Sequence, residues 1–401
     1  MDLPLAPRMA RFKRSPTNAI TQRARELKAA GRDVVTVSSG EPDFDTPDHI
    51  KEAAKAALDR GATKYTTVDG TAELKAAVAA KFRDENGLDY GADQISVGTG
   101  GKQVIFNALM ATVGDGDEVV IPAPHWVSYP DIVRVAGGTP TIVETRADKG
   151  FLLAPEDLDA AITPRTRWLI LNNPTNPSGA VYDADSLRQI ADVLLDHPDV
   201  LVLTDDIYEH LIYDNAVFHT IAGLEPKLFE RTLTMNGMSK AYCMTGWRIG
   251  FAGGPAPLIR AMSKLQTQCT SSPNSIAQWA AAEALKGPKT FLEANRRTFQ
   301  ARRDRLVGRL QAIPGLACPT PKGAFYAFPD CSGVLGKATP DGKTIESDAD
   351  FAAYLLDHHD LALVPGSAFG MGPYLRISYA AADAVLETAC DRLAAACEAL
   401  V

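Results

Sequence analysis

The sequence predicts an α/β protein: a mostly parallel central sheet in a large domain, with a smaller α+β domain beside it. Three observations lead there. Between residues 118 and 235, short apolar runs alternate with helical stretches, the pattern of successive βαβ units. At residues 94–111 a strand, a glycine loop and an apolar helix follow one another. Beyond Pro314-Gly315 the pattern changes to short, separated strands and two helices. The large domain is expected over residues 48–294. Residues 1–47 and 295–401 are expected to form the small one, the N-terminal arm packing with the C-terminal α+β part.

In order, a basic, polar start runs through Phe12, Lys13, Arg14 and Ser15 to a helix over residues 19–30, which Gly31 ends. A strand at 34–37 enters a loop of Gly40, Glu41, Pro42 and Asp43. Gly40 is either a plain turn glycine or a backbone amide brought close to a ligand. A helix at 47–60 and a polar loop holding Tyr65 follow. The next helix carries Leu74, Ala77, Val78 and Phe82 on one face and stops at Asn86-Gly87. A strand at 94–97 runs into Gly98-Thr99-Gly100-Gly101-Lys102 and a helix at 103–111. That order aims free amides and a helix dipole at a phosphate, although a tight turn would use the same glycines. It is neither G-x-G-x-x-G nor a Walker loop, which disfavours a nicotinamide dehydrogenase.

Strands are expected at 118–121, 139–143, 168–171, 200–204 and 232–235. The first ends in Pro124-His125-Trp126, the third in Asn172 to Gly179, the fourth in Asp205, Asp206 and Tyr208, and the fifth in Ser239-Lys240. Open α/β sheets bind ligands at the carboxyl ends of their strands. Trp126 could be a core aromatic and Asp205 a turn former. Together with Asn176, Tyr208 and Lys240 at one sheet edge, they point to a site. Further on, a long Arg-rich helix is expected at 290–313, strands at 323–328, 361–364 and 375–379, and helices at 351–357 and from Asp383.

Lys240 stands in a small, apolar run, Met235 to Gly250, with no carboxylate within eight residues on either side and Arg248 eight residues on. Read alone, it is either a surface lysine after a strand or a desolvated one. A desolvated amine falls from about 10.4 toward the nucleophilic range and suits Schiff-base chemistry, and Arg248 would be the fixed cation for a phosphate. Arg376, between Leu375 and Ile377 in a strand, needs an anion if buried: a structural carboxylate or a substrate's.

Composition closes off other classes. Forty-one basic and 49 acidic side chains in 401 residues give a charge of −8, interspersed, which argues against nucleic-acid binding. The 6 cysteines form no C-x-x-C and read as thiols of a reducing compartment. The 7 histidines have no metal-ligand spacing, so no metal is expected. The start has no signal-peptide core, and no run reaches the ~18 apolar residues of a membrane span. The expected place is the cytoplasm.

Taken together, these stretches resemble the class I aminotransferases of the aspartate aminotransferase family, pyridoxal-phosphate enzymes of fold type I, and most of all its bacterial branch. The likeness runs from Gly40-Glu-Pro-Asp-Phe through Lys64-Tyr65, Gly100-Gly-Lys102, Pro124-His-Trp126, Asn176-Pro-Ser-Gly179, Asp205-Asp-Ile-Tyr208, Ser239-Lys240 and Met244-Thr-Gly-Trp-Arg248 to Arg376-Ile-Ser-Tyr379. It implies that Lys240 binds pyridoxal 5'-phosphate covalently and later moves a proton. Asp205 would pair with the pyridine nitrogen, Tyr208 and Asn176 with the phenolic oxygen, and Trp126 would stack on the ring. Gly101, Lys102, Ser239 and Arg248 would hold the phosphate, joined by Tyr65 from the other half of a homodimer. Gly40 and Arg376 would take the substrate carboxylate. The implied substrates are an L-amino acid, aspartate first, and a 2-oxo acid, by a ping-pong route. Aromatic or prephenate-type transamination and a lyase remain the alternatives. A cofactor-binding regulator would need a DNA-binding domain ahead of Gly40, for which little chain is expected.

Two departures stand out. His125 replaces a usual tyrosine. Met110 stands where some members place a lysine that grips the side-chain carboxylate, which leaves Lys13 in the N-terminal arm as the expected substitute.

Overall fold

The computed structural model describes residues 3–13 and 16–401. Arg14 and Ser15, named in the basic start, lie outside the described residues. Its centre is a seven-stranded sheet of β2 (Ile95–Thr99), β3 (Glu118–Ala123), β4 (Thr139–Glu144), β5 (Thr166–Asn172), β6 (Leu201–Asp205), β7 (Thr232–Gly237) and β8 (Ile249–Gly253), in the order β2-β8-β7-β6-β5-β3-β4. Pairings from β4 across to β7 are parallel, and β8 runs antiparallel to both its neighbours.

The near-continuous apolar strands have a direct cause. Side chains alternate between faces, and both faces are covered. Val119, Ile121, Trp168, Ile170 and Leu203 pack on one side with Val104, Ile105 and Leu109. Val120, Leu169, Leu171 and Val202 pack on the other with Leu187, Ile190 and Leu194. Each fully buried aliphatic side chain here stabilises the fold by about 1.5–3 kcal/mol.

β8 is the strand that sequence patterning misses. Its run Ile249-Gly-Phe-Ala-Gly253 shows no alternation, and Gly250 looks like a loop residue. The glycine is there because a Cβ would collide with the backbone of Gly100 and Gly101, where the helix Gly101–Thr112 starts against the sheet.

Two small sheets complete the fold. One pairs β1 (Val35–Thr36) in parallel with β10 (Leu361–Ala362), and the other orders β11 (Val364–Pro365), β12 (Leu375–Ser378) and β9 (Tyr326–Ala327) as β11-β12-β9, all antiparallel. The strand expected at 361–364 is therefore two, because consecutive buried residues serve different sheets. The one expected at 323–328 shrinks to two residues, since Ala324 takes a left-handed φ of 57°. These sheets share a core with Phe299, Leu306 and Leu310 of the helix Thr290–Gln311 and Leu386 and Leu393 of the helix Asp383–Glu398. Tyr208 and Leu211, from the turn after β6, join that same core. Among the described residues no helix is long and apolar enough to cross a membrane.

Candidate active site

The carboxyl ends of β3, β5, β6 and β7 open onto one cleft of about 360 Å³. Among the described residues its lining carries four cations, Lys102, Lys240, Arg248 and Arg376, against one carboxylate, Asp205. A larger, shallower depression of about 730 Å³ adjoins it and shares Arg248, but holds neither Lys240 nor Asp205.

Lys240 stands just past β7, and its Nζ donates to the Gly40 carbonyl at 2.6 Å. The residue is partly buried, but its amine lies inside the cleft. Lost hydration, followed by the positive charge of Arg376, pushes its pKa down to about 8. The lysine is thus held ready to lose its proton near neutral pH, as a nucleophile or base must be.

Asp205 ends β6 and is in register with Asn172 on one side and Met235 on the other. Tyr129 donates to its Oδ2 at 2.6 Å, and Asn172 Nδ2 donates to its carbonyl at 2.7 Å. Burial pushes the carboxyl up to about 6, against the Tyr129 hydrogen bond, which lowers it. A cation brought against it, such as a protonated ring nitrogen, would restore its charge.

Arg376 is buried in β12. Its Nη1 donates to Asn176 Oδ1 at 3.1 Å and its Nη2 to the Ser38 carbonyl at 2.5 Å, while its Nε has no hydrogen-bond partner. No carboxylate answers this charge among these contacts, so a bound anion is what it lacks. The loop that carries Gly40 is tied down nearby: Arg302 grips Asp43 through two bonds of 2.7 and 2.9 Å.

An anion cradle forms at the other end of the cleft. The helix Gly101–Thr112 begins at Gly100 with φ +82° and no side-chain cap, so its first amides are open. A Cβ on Gly100 would strike the Arg248 guanidinium. Lys102 Nζ sits 4.8 Å from the Trp126 ring centroid, and Ser239 completes the rim. A phosphate with a flat ring between Trp126 and Asp205 suits this donor set.

Residues 32–393 match the family model for aminotransferase class I and II. The chain belongs to that family.

This aminotransferase is 57% identical over 396 residues, 99% of each chain, to the aspartate/prephenate aminotransferase of Cereibacter sphaeroides. It is 56% identical over 381 residues, 95% of this chain and 93% of the other, to an aspartate aminotransferase of Rhizobium meliloti. The crystal structure of the Rhizobium meliloti aspartate aminotransferase superposes with a TM-score of 0.97 at 54% identity, covering 100% of both chains. That of Thermus thermophilus with maleate gives 0.92 at 42% identity, covering 98% of this chain and 100% of the other. Fold type I, the expected α/β architecture, is therefore the fold of the aminotransferase.

Of the residues singled out by sequence, the cleft brings together Gly40, Gly101, Lys102, Trp126, Asn176, Asp205, Tyr208, Ser239, Lys240, Arg248 and Arg376. Two stand apart from it in the single chain. Tyr65 is 95% exposed, and Lys13 is exposed on the arm, where Thr17 and Thr21 reach the lining instead. Met110 does not line the cleft either. Sequence reasoning missed Tyr129, Asn172 and Tyr326. Tyr129 stands three residues after Trp126, and Asn172 lies directly across from Asp205, so their spacing carried a signal. Tyr326 carried none.

Beside a buried polar cluster of Glu209, Asn236, Asn86 and Lys81, in which Lys81 pairs with Glu209, Asp206 stays out of the cleft lining: its backbone carbonyl accepts from Asn236 and its Oδ1 from Thr204. Burial pushes its carboxyl up to about 8, opposed by a hydrogen bond from Thr204. The folded chain therefore keeps a proton that the unfolded chain releases near 3.8. The stability from this proton is full below that pH and declines as pH rises through about 8. Asp206→Asn should flatten this decline in the cofactor-free chain, raising Tm at pH 9 by a few degrees relative to wild type. An unchanged slope of Tm against pH would remove Asp206 as its source.

Proposed function

We propose that this aminotransferase takes the amino group of aspartate and passes it to 2-oxoglutarate, using pyridoxal 5'-phosphate. The observation that carries this reading is the convergence of Lys240, Asp205 and Arg376 on one cleft with an anion cradle at its far end. When bound, the cofactor supplies an electron sink for the carbon that carries the amine. The chain does the rest. Lys240 would be the covalent anchor and the base for the α-proton. Asp205, held by Tyr129, would pair with the ring nitrogen. Tyr208 and Asn176 would hold the phenolic oxygen, and Trp126 would cover the ring. Open amides at Gly101 and Lys102, with Ser239 and Arg248, would hold the phosphate. Arg376 and Gly40 seat the α-carboxylate, with Arg376 locked by Asn176 and the Ser38 carbonyl. Amino acid and oxo acid use the one seat in turn, hence ping-pong kinetics.

The working unit in this reading is a homodimer. Tyr65, almost fully exposed here, would reach the phosphate held by the other subunit. Residues 48–294 form the cofactor domain, and 1–47 with 295–401 the smaller one that closes over it. The 6 cysteines are free thiols, 5 of them buried, which suits a reducing cytoplasm.

Prephenate is a second acceptor, favoured by the name of the Cereibacter sphaeroides relative. Lys13 is the residue proposed to meet a distal carboxylate when the arm carrying Thr17 and Thr21 closes. A panel of amino donors against 2-oxoglutarate, oxaloacetate and prephenate tests the whole reading; ammonia released without an oxo-acid acceptor would replace it with a lyase. Within that panel, Lys13→Ala should raise KM for aspartate roughly tenfold, the loss of one charge-assisted contact, and leave phenylalanine unaffected. Equal changes for both donors would clear Lys13 of the role.

A further inference from the structure

Tyr326 has no task in the proposed chemistry, yet it stands between two groups that do. Its hydroxyl lies 2.9 Å from that of Tyr208, in a buried pair. The two rings meet edge to face at 5.9 Å. On its other side, the Arg376 guanidinium stands 4.6 Å from the Tyr326 ring centroid. β9 and β12 hold this stack in register, Ser378 opposite Tyr326. The loop makes room for the hydroxyl: a Cβ on Gly40 would come within 2.5 Å of it.

The proton count gives this arrangement a direction. A tyrosine hydroxyl donates one hydrogen bond and accepts others. If Tyr208 spends its proton on an acceptor in the cleft, it can only accept from Tyr326, so Tyr326 must donate to Tyr208. A cation over an aromatic face draws on the ring's electrons and makes its hydroxyl a stronger donor. Hydrogen bonds in such a buried chain reinforce one another. A carboxylate seated on Arg376 shares the guanidinium's charge and relaxes that pull.

We propose that Tyr326 is a positioning residue that couples the carboxylate seat at Arg376 to the cofactor-facing hydroxyl of Tyr208. This rests on the proposed role of Tyr208 at the phenolic oxygen. A second link, from Arg376 to Asn176, runs beside it, so loss of Tyr326's hydroxyl weakens the coupling without ending it.

The test is a pH titration of the visible absorbance of the holoenzyme, with and without saturating maleate as an unreactive dicarboxylate. Tyr326→Phe keeps the ring, its packing and its contact with Arg376, and removes only the hydroxyl. The titration midpoint should rise by roughly half to one pH unit, the size of one lost hydrogen bond. Tyr208→Phe should raise it at least as far, and the double variant should go no further than Tyr208→Phe alone. The shift produced by maleate should shrink in Tyr326→Phe. A wild-type midpoint in Tyr326→Phe, with Tyr208→Phe displaced, would overturn the coupling and leave the role of Tyr208 standing. No displacement in Tyr208→Phe would overturn both. Additive shifts in the double variant would mean that Tyr326 acts by another route, and would overturn the proposal as well.

Discussion

Lys240→Ala is expected to leave about 10⁻⁴ of the wild-type turnover, because the variant loses both the covalent anchor and the group that moves the α-proton. The structure gives the reason for so large an effect. The Lys240 amine is aimed by its bond to the Gly40 carbonyl, and burial with Arg376 brings its pKa down to about 8. Among the described residues no second lysine is placed to take over: Lys102, the other lysine of the lining, sits at the rim against Trp126. Fold and cradle should survive, since Lys240 makes no ion pair among the described residues. The variant should therefore still bind the cofactor, but without the wild-type visible absorbance. Borohydride reduction followed by peptide mapping supplies the second readout: a pyridoxyl group on Lys240 in wild type and none in the variant. Substantial turnover in Lys240→Ala would remove Lys240 from the chemistry and with it the proposed mechanism.

Asp205→Ala should cost roughly 10²–10³ in kcat, the usual effect of removing one preorganised charge from a transition state. Asp205 cannot be replaced by its neighbours. Asp206 does not line the cleft, its carboxylate accepting from Thr204 instead, and among the described residues the lining has no other carboxylate. Its pH behaviour follows from its burial. With the carboxyl raised to about 6 in the free chain, it is charged above that pH and neutral below. Cofactor uptake by the apoenzyme should accordingly weaken as pH falls through about 6. Asp205→Asn, which keeps the shape and Tyr129's bond but not the charge, should abolish that dependence. A loss of less than tenfold in Asp205→Ala would show that ring protonation is achieved elsewhere.

The chain's local chemistry announced a good deal of this. Strands 118–121, 168–171, 200–204 and 232–235 were legible because a parallel sheet buried on both faces demands unbroken apolar runs, and polar residues just past such runs mark the ligand edge. Asp205, Lys240 and Asn176 could be named on that ground. β8 could not: its glycines exist to let the helix at Gly101 approach the sheet, and close packing leaves no periodic signature. Nor could the break at Leu363, where neighbouring apolar residues belong to different sheets.

By itself, then, the order of residues determined the α/β class, the strand-end chemistry and the family, since each depends on short-range patterns of polarity and on glycine placement. Only the tertiary structure decided which residues from distant segments touch. Tyr129 meets Asp205 across 76 positions, Tyr326 meets Tyr208 across 118, and Arg376 meets Asn176 across 200. Such pairs are made by sheet order and by the packing of one core on another, and an isolated tyrosine in an apolar strand looks the same whether it fills space or hands on a proton.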